Sequence, residues 1–132
     1  MPIYKGSELM KKAAVLVSQL AFPESLRWHN GVLWFSDMFG SRSVNTLDSN
    51  GTLHKITVVP KHPSGIAFGL DGCPLVISMN DCCIFRILDG SGTLETFCDF
   101  SALAVHGNDM TMAPDGTLYV GDVGFLFSEE DP

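Results

Sequence analysis

A carboxylate, a hydroxyl and a carboxamide, those of Glu24, Ser64 and Asn108, each stand four residues ahead of a bulky apolar residue, Trp28, Phe68 and Met112 respectively. Oxygen donors of this kind suit a hard divalent cation, because Ca²⁺ takes about 6–8 oxygen ligands and accepts carboxylate, amide oxygen and water alike. In that reading Glu24 brings charge and Asn108 a neutral ligand. A second row of equivalent positions holds Asp37, Ser78 and Asp122. The same residue types also cap strand ends and form Asx turns, and spacing does not separate the two roles. Of the four histidines, His62 and His106 stand two residues before Ser64 and Asn108 and are the ones placed to touch a ligand. The plainer reading of both is a solvated loop histidine. Candidate ligand contacts are therefore Ser64, Asn108 and His106, with Glu24 and Asn108 as candidate metal ligands. No Ser-His-Asp or Cys-His pair can be argued from spacing, and P-loop, GxGxxG and HExxH patterns are absent from the sequence.

These positions are equivalent only if the chain repeats, and two independent markers give one period. The turn glycines of WHNGVLWFSD (28–37), FGLDGCPLVIS (68–78) and MAPDGTLYVGD (112–122) are Gly31, Gly72 and Gly116, spaced 41 and 44 residues apart. A second turn, Asp48 to Leu53, is answered by Asp89 to Leu94, again 41 residues on. Each period holds short runs rich in Val, Ile, Leu, Phe and Trp between Gly, Asn, Asp and Pro turns, which predicts four strands. In the second period they are predicted near 65–68, 75–79, 84–88 and 94–98. Antiparallel four-stranded units at a period of about 40–50 residues predict an all-β β-propeller. The expected division is an orphan closing strand at 12–22, blade 1 at 23–60, blade 2 at 61–100 and the first half of blade 3 at 101–132. Each blade's first strand is then innermost, and its second returns antiparallel, so both oxygen rows are expected at one mouth of the central channel.

Composition narrows the partners. With 8 Lys plus Arg against 15 Asp plus Glu, a formal net charge of −7 and no basic stripe, nucleic acid and anionic membrane are not expected partners. The longest apolar stretch, Ala13 to Val17 resumed at Leu20 to Phe22, falls short of the ~20 residues of a spanning helix. Lys11 and Lys12 imitate a leader, yet Ser18 and Gln19 interrupt the apolar run and no small-x-small cleavage site precedes Pro23. Cys73, Cys82, Cys83 and Cys98 lack zinc-type spacing and read as buried free thiols, so a reducing, cytoplasmic compartment is expected. Asp48, Asp71, Asp89 and Asp115 adjoin turn glycines and read as turn residues, and Arg27 beside Trp28 as a packing or bracing residue.

Taken in order, FPESLRWHNGVLWFSDMFG (22–40), HPSGIAFGLDGCPLVISMND (62–81) and GNDMTMAPDGTLYVGDVGF (107–125) resemble the senescence marker protein (regucalcin), gluconolactonase and luciferin-regenerating enzyme family over about residues 12–127. The resemblance implies a six-bladed propeller whose channel mouth holds one divalent cation, Ca²⁺ foremost and Zn²⁺ otherwise, and hydrolysis of a small-molecule lactone or related ester. Residue by residue, Glu24 matches the family's metal-binding glutamate and Asn108 its channel asparagine, while Asp109 travels with that motif as a structural residue. The family's other ligands, including the aspartate that acts as general base, are implied to lie beyond residue 132. A chain of this extent is then expected to be a truncated, inactive form that self-associates through open strand edges. Rival expectations are a non-catalytic binding propeller and two half-rings paired into one.

Overall fold

The computed structural model describes residues 13–125. Ten strands form in chain order: β1 (Pro23–His29), β2 (Val32–Asp37), β3 (Ser43–Leu47), β4 (Leu53–Val58), β5 (Pro63–Phe68), β6 (Pro74–Ser78), β7 (Cys83–Ile87), β8 (Leu94–Asp99), β9 (Gly107–Met112) and β10 (Leu118–Asp122). Consecutive strands pair, giving sheets of order β1-β2-β3-β4, β5-β6-β7-β8 and β9-β10, antiparallel throughout. The four strands predicted in the second period are present, with bounds shifted by no more than two residues.

Turn chemistry explains the hairpins. His29 pairs with Val32, so Asn30-Gly31 is a two-residue loop, and both residues have positive φ, 50° and 77°. That is the primed geometry whose twist matches the flanking strands, and Asn-Gly tolerates it best. Pro23, Pro63 and Pro74 each open a strand, the position where a missing N–H is least disruptive.

The core lies between sheets. Val44, Val59, Ile66, Val76 and Ile87 fill the space between the first and second, with Trp34, Ile56 and Phe68 packed against them. Ala67, Leu75, Ile77, Ile84 and Met110 fill the space between the second and third, with Phe100, Met112 and Leu118 alongside. Covered on both faces, β5 and β6 are buried along nearly their whole length. Fully burying one such aliphatic side chain contributes about 2 kcal/mol. The inner strands lie side by side, β1 against β5 and β5 against β9.

Two sequence expectations change. The closing strand expected at 12–22 is not a strand at 13–22. Residue 12 lies outside the described residues. A strand exists only as a pair, and β1 to β10 pair only with one another. The thiols are free, but they are not uniformly buried: Cys82 is buried, Cys73 and Cys83 are half-buried, and Cys98 is exposed on β8, the outermost strand of its sheet.

Candidate functional site

Each inner strand carries one extra residue near the same place. On β1 the pairing jumps from Glu24 to Arg27 while β2 advances from Ser36 to Trp34; on β5 it jumps from Pro63 to Ile66 while β6 advances from Ser78 to Val76; on β9 it jumps from Gly107 to Met110 while β10 advances from Asp122 to Val120. Two residues therefore oppose one in every sheet, which defines a β-bulge, a device that re-aims side chains and recurs beside active sites. Ser64 and Asn108 are bulged residues, and Glu24, still paired with Ser36, borders the β1 bulge. Hydropathy carries no mark of the bulge, and the only trace in the sequence is a small residue in two of the three periods, Ser25 and Gly65.

The middle bulge is packed shut. Ser64 is fully buried, and its hydroxyl donates to the carbonyl oxygens of Asn108 (2.8 Å) and Gly107 (3.1 Å), while its own carbonyl accepts from Ser36 Oγ (2.7 Å). Its hydroxyl thus serves β9 instead of facing a ligand. Beside it, a Cβ on Gly65 would meet Asn108 O at 2.7 Å and Met110 N at 2.8 Å. Only glycine lets β9 come this close.

The outer bulges carry the charge. Glu24 is half-buried on β1, and burial together with the Asp109 carboxylate pushes its pKa up to about 7. Asn108 is half-buried on β9. Asp109 Oδ1 accepts from Arg27 Nη2 (2.6 Å), Ser25 Oγ (3.4 Å) and its neighbour's Met110 N–H (2.9 Å). Ser25, at φ 56°, accepts the Ile66 N–H on its hydroxyl (2.7 Å). Arg27, Asp109, Met110 and Tyr119 line an open cleft of about 520 Å³.

The second oxygen row sits at the expected end, since Asp37 pairs with Pro23, Ser78 with Pro63 and Asp122 with Gly107. Its side chains do other work. Asp37 Oδ1 accepts the N–H groups of Ala21 (3.0 Å) and Phe22 (2.7 Å), and Asp122 Oδ1 accepts those of Val105 (3.0 Å) and His106 (2.8 Å). The His106 N–H holds the Asp122 carboxyl below the usual carboxylate range. Ser78 Oγ donates to Asp81 (2.9 Å). A matching main-chain bond recurs in each sheet, from Met38 to Phe22, Met79 to His62 and Val123 to His106. The two aspartates lace the segments entering β1 and β9, and Ser78 is tied to its own turn, so the mouth is less rich in open oxygens than the spacing alone suggests.

The two histidines are not solvated loop residues. His62 and His106 are each 7% exposed. His62 shares a hydrogen bond between Nδ1 and Met38 O (3.1 Å) and lies edge-on to Phe39. Their positions match Phe22 in the first period, and the chain turns inward there to enter the inner strand.

A cation fits this chemistry in part. The donors of Glu24 and Asn108 are hard oxygens, and a desolvated carboxylate beside a second carboxylate gains from a neighbouring positive charge. Among the described residues no group of three or more His, Cys, Asp and Glu side chains is gathered to hold a metal.

Known folds place the sheets. A gluconolactonase from Xanthomonas campestris superposes with a TM-score of 0.73 at 22% identity, over 83% of this chain and 38% of that one. A luciferin-regenerating enzyme gives 0.66 at 17% identity, over 86% and 41%. Virginiamycin B lyase from Staphylococcus aureus gives 0.65 at 22% identity, over 77% and 35%. The chain thus shares the β-propeller fold of these enzymes and spans well under half the length of each. No curated protein matches it. The family model of the SMP-30/gluconolactonase/LRE-like region matches residues 22–131. By that match, which takes in all three bulges, the chain belongs to the SMP-30/gluconolactonase/LRE-like family.

Proposed function

We propose that this chain supplies part of the channel mouth of a divalent-cation-dependent hydrolase of lactones or related esters, with Ca²⁺ as the first cation to test and Zn²⁺ as the second. The observation that carries the reading is the half-buried Glu24 carboxyl, raised to about 7 beside Asp109 and bordering the bulge that β1 shares with β5 and β9. Family membership supports lactone chemistry. Glu24 and Asn108 would hold the cation, which when bound polarises a carbonyl and lowers the pKa of bound water.

The chain's own residues prepare that site. Ser64 fixes the β9 backbone at Asn108, and its burial excludes water from the middle of the row. Glu24, titrating near neutral pH, exchanges a proton for a cation under mild conditions. The buried His106, which precedes β9, is pinned through its backbone N–H by Asp122. Hydrolysis belongs to the ring that this chain forms part of, since the gluconolactonase it resembles is covered over only 38% of its length.

The test is Ca²⁺ titration by calorimetry on the wild type and Glu24→Gln, paired with a pH-stat assay on a sugar lactone with Ca²⁺ and with chelator. Binding that Glu24→Gln weakens at least about 10-fold is the expected result, with chelator-sensitive hydrolysis expected only where chains complete a ring. Ca²⁺ binding without turnover in an assembled ring would move the reading to a non-catalytic binding propeller. Equal responses from both proteins would remove Glu24 from the site.

A further inference from the structure

The three inner strands belong to three separate sheets, so no backbone ladder sets the distance from β1 to β9. Side chains must do it. The hydrogen bonds that run directly between β1 and β9 all come from Ser25 or Arg27. Arg27 Nη2 donates to Asp109 Oδ1 (2.6 Å) and to Met110 O (3.3 Å), and Ser25 Oγ donates to the same carboxylate oxygen (3.4 Å). Ser25 also receives the Ile66 N–H, so the clasp takes in β5 as well. An isolated surface ion pair would hold little. This one differs, because the guanidinium grips a side chain and a main-chain carbonyl on one strand, and the carboxylate it grips is fixed by its own Met110 N–H.

We propose that Arg27, acting through Asp109 with Ser25, is a positioning residue that sets the spacing of Glu24 and Asn108 across β5 and so tunes the cation affinity of the mouth. The inference rests on the cation reading above. Arg27 lies three residues after Glu24, and Asp109 one after Asn108, so the clasp ties together the two strands that carry the candidate ligands. Arg27 itself, a cation, contributes no ligand; its part is geometric.

The experiment uses the whole 132-residue chain as wild type, Arg27→Met, Arg27→Lys and Asp109→Asn. Ca²⁺ affinity is measured by calorimetry, and amide hydrogen exchange at Ile66 and Met110 in metal-free buffer. Arg27→Met is expected to weaken Ca²⁺ binding about 10-fold and Arg27→Lys to recover part of it, since an ammonium still reaches the carboxylate but lacks the guanidinium's planar fork. Exchange at both amides is expected to quicken in Arg27→Met. Should Arg27→Met fail to fold, Asp109→Asn, which keeps the shape and removes the charge, takes its place. Wild-type affinity in the variants, or affinity lost in Arg27→Met and unrecovered in Arg27→Lys, overturns the proposal. A wild type that binds no Ca²⁺ overturns the cation reading instead; the clasp then stands if the two amides exchange faster in Arg27→Met, and falls with it if they do not.

Discussion

At the bulge of β5 the chain places Ser64 and Gly65; at that of β9 it places Asn108-Asp109, and on β1 Glu24 borders a bulge that begins at Ser25. The middle pair is closed, with a fully buried hydroxyl and no room for a Cβ. The flanking pairs are half-buried or exposed and carry charge. One backbone device thus serves two ends: in the middle sheet it is a packed spacer, and on either side it presents polar groups. The teaching is that equivalence of position in a repeating fold does not carry equivalence of role. A sheet covered on both faces can only pack at its bulge, whereas its neighbours can expose chemistry there.

If β5 is the spacer, substitutions in it are expected to cost the most stability. Gly65→Ala would set a methyl against three backbone atoms of β9, Asn108 O, Met110 N and Asp109 Cα, at 2.7–2.9 Å. Backbone cannot turn aside as a side chain can. The expected loss is about 3 kcal/mol, read from the urea midpoint at unchanged slope. An unchanged midpoint would mean that β9 is free to move away, and the contrast between closed and open bulges would collapse.

Ser64→Ala comes next. It removes the donor to two carbonyls inside the protein, and a buried acceptor left without its partner costs about 2 kcal/mol. Urea unfolding again measures it. Ser64→Thr, with the hydroxyl kept and a methyl added in a site of zero exposure, separates the hydrogen bond from the packing.

How much of this was legible beforehand depends on what a residue's type can record. Asn30-Gly31 announces its turn because few other pairs accept two positive φ angles in succession, and the strands between such turns follow. The row Glu24, Ser64, Asn108 was legible as a row, because the period places it. Its division into spacer and flanks was not, since Ser64 is a plausible ligand until β9 is seen to lie against it. Asp37 and Asp122 read as open carboxylates, and their N–H partners lie 15–17 residues back in chain segments that carry no signal of their own. Residues 13–22 carry a strand-like composition, but pairing is decided by a neighbour that composition cannot name.

The open side of the contrast is sharpened by pH. Glu24 is pushed up to about 7 in the folded protein from an ordinary 4.5. The folded state therefore binds this proton more tightly than the unfolded chain, and stability contributed by the protonated group is lost as pH rises from about 4.5 through 7. Allowing for partial solvent exposure, the change is on the order of 1–2 kcal/mol. Glu24→Gln removes the titration, so the difference between its stability and that of the wild type should widen from pH 5 to pH 8 in chelator. A constant difference would return Glu24 to an ordinary, solvated carboxylate.

The smallest effect on stability is expected where the clasp is. Arg27 and Asp109 have side chains 31% and 62% exposed, and water competes for both partners at 2.6 Å as it does for any surface pair. Arg27→Met keeps much of the aliphatic stem and loses about 0.5 kcal/mol, within reach of careful urea unfolding. Gly65→Ala, by contrast, acts on backbone that has no room to move aside. Stability and positioning are then distributed differently over neighbouring residues: β5 holds the sheets together, and Arg27 adjusts β1 against β9 once they are held. A loss of 2 kcal/mol or more in Arg27→Met would merge the two, since the clasp would then be part of what keeps the three sheets assembled.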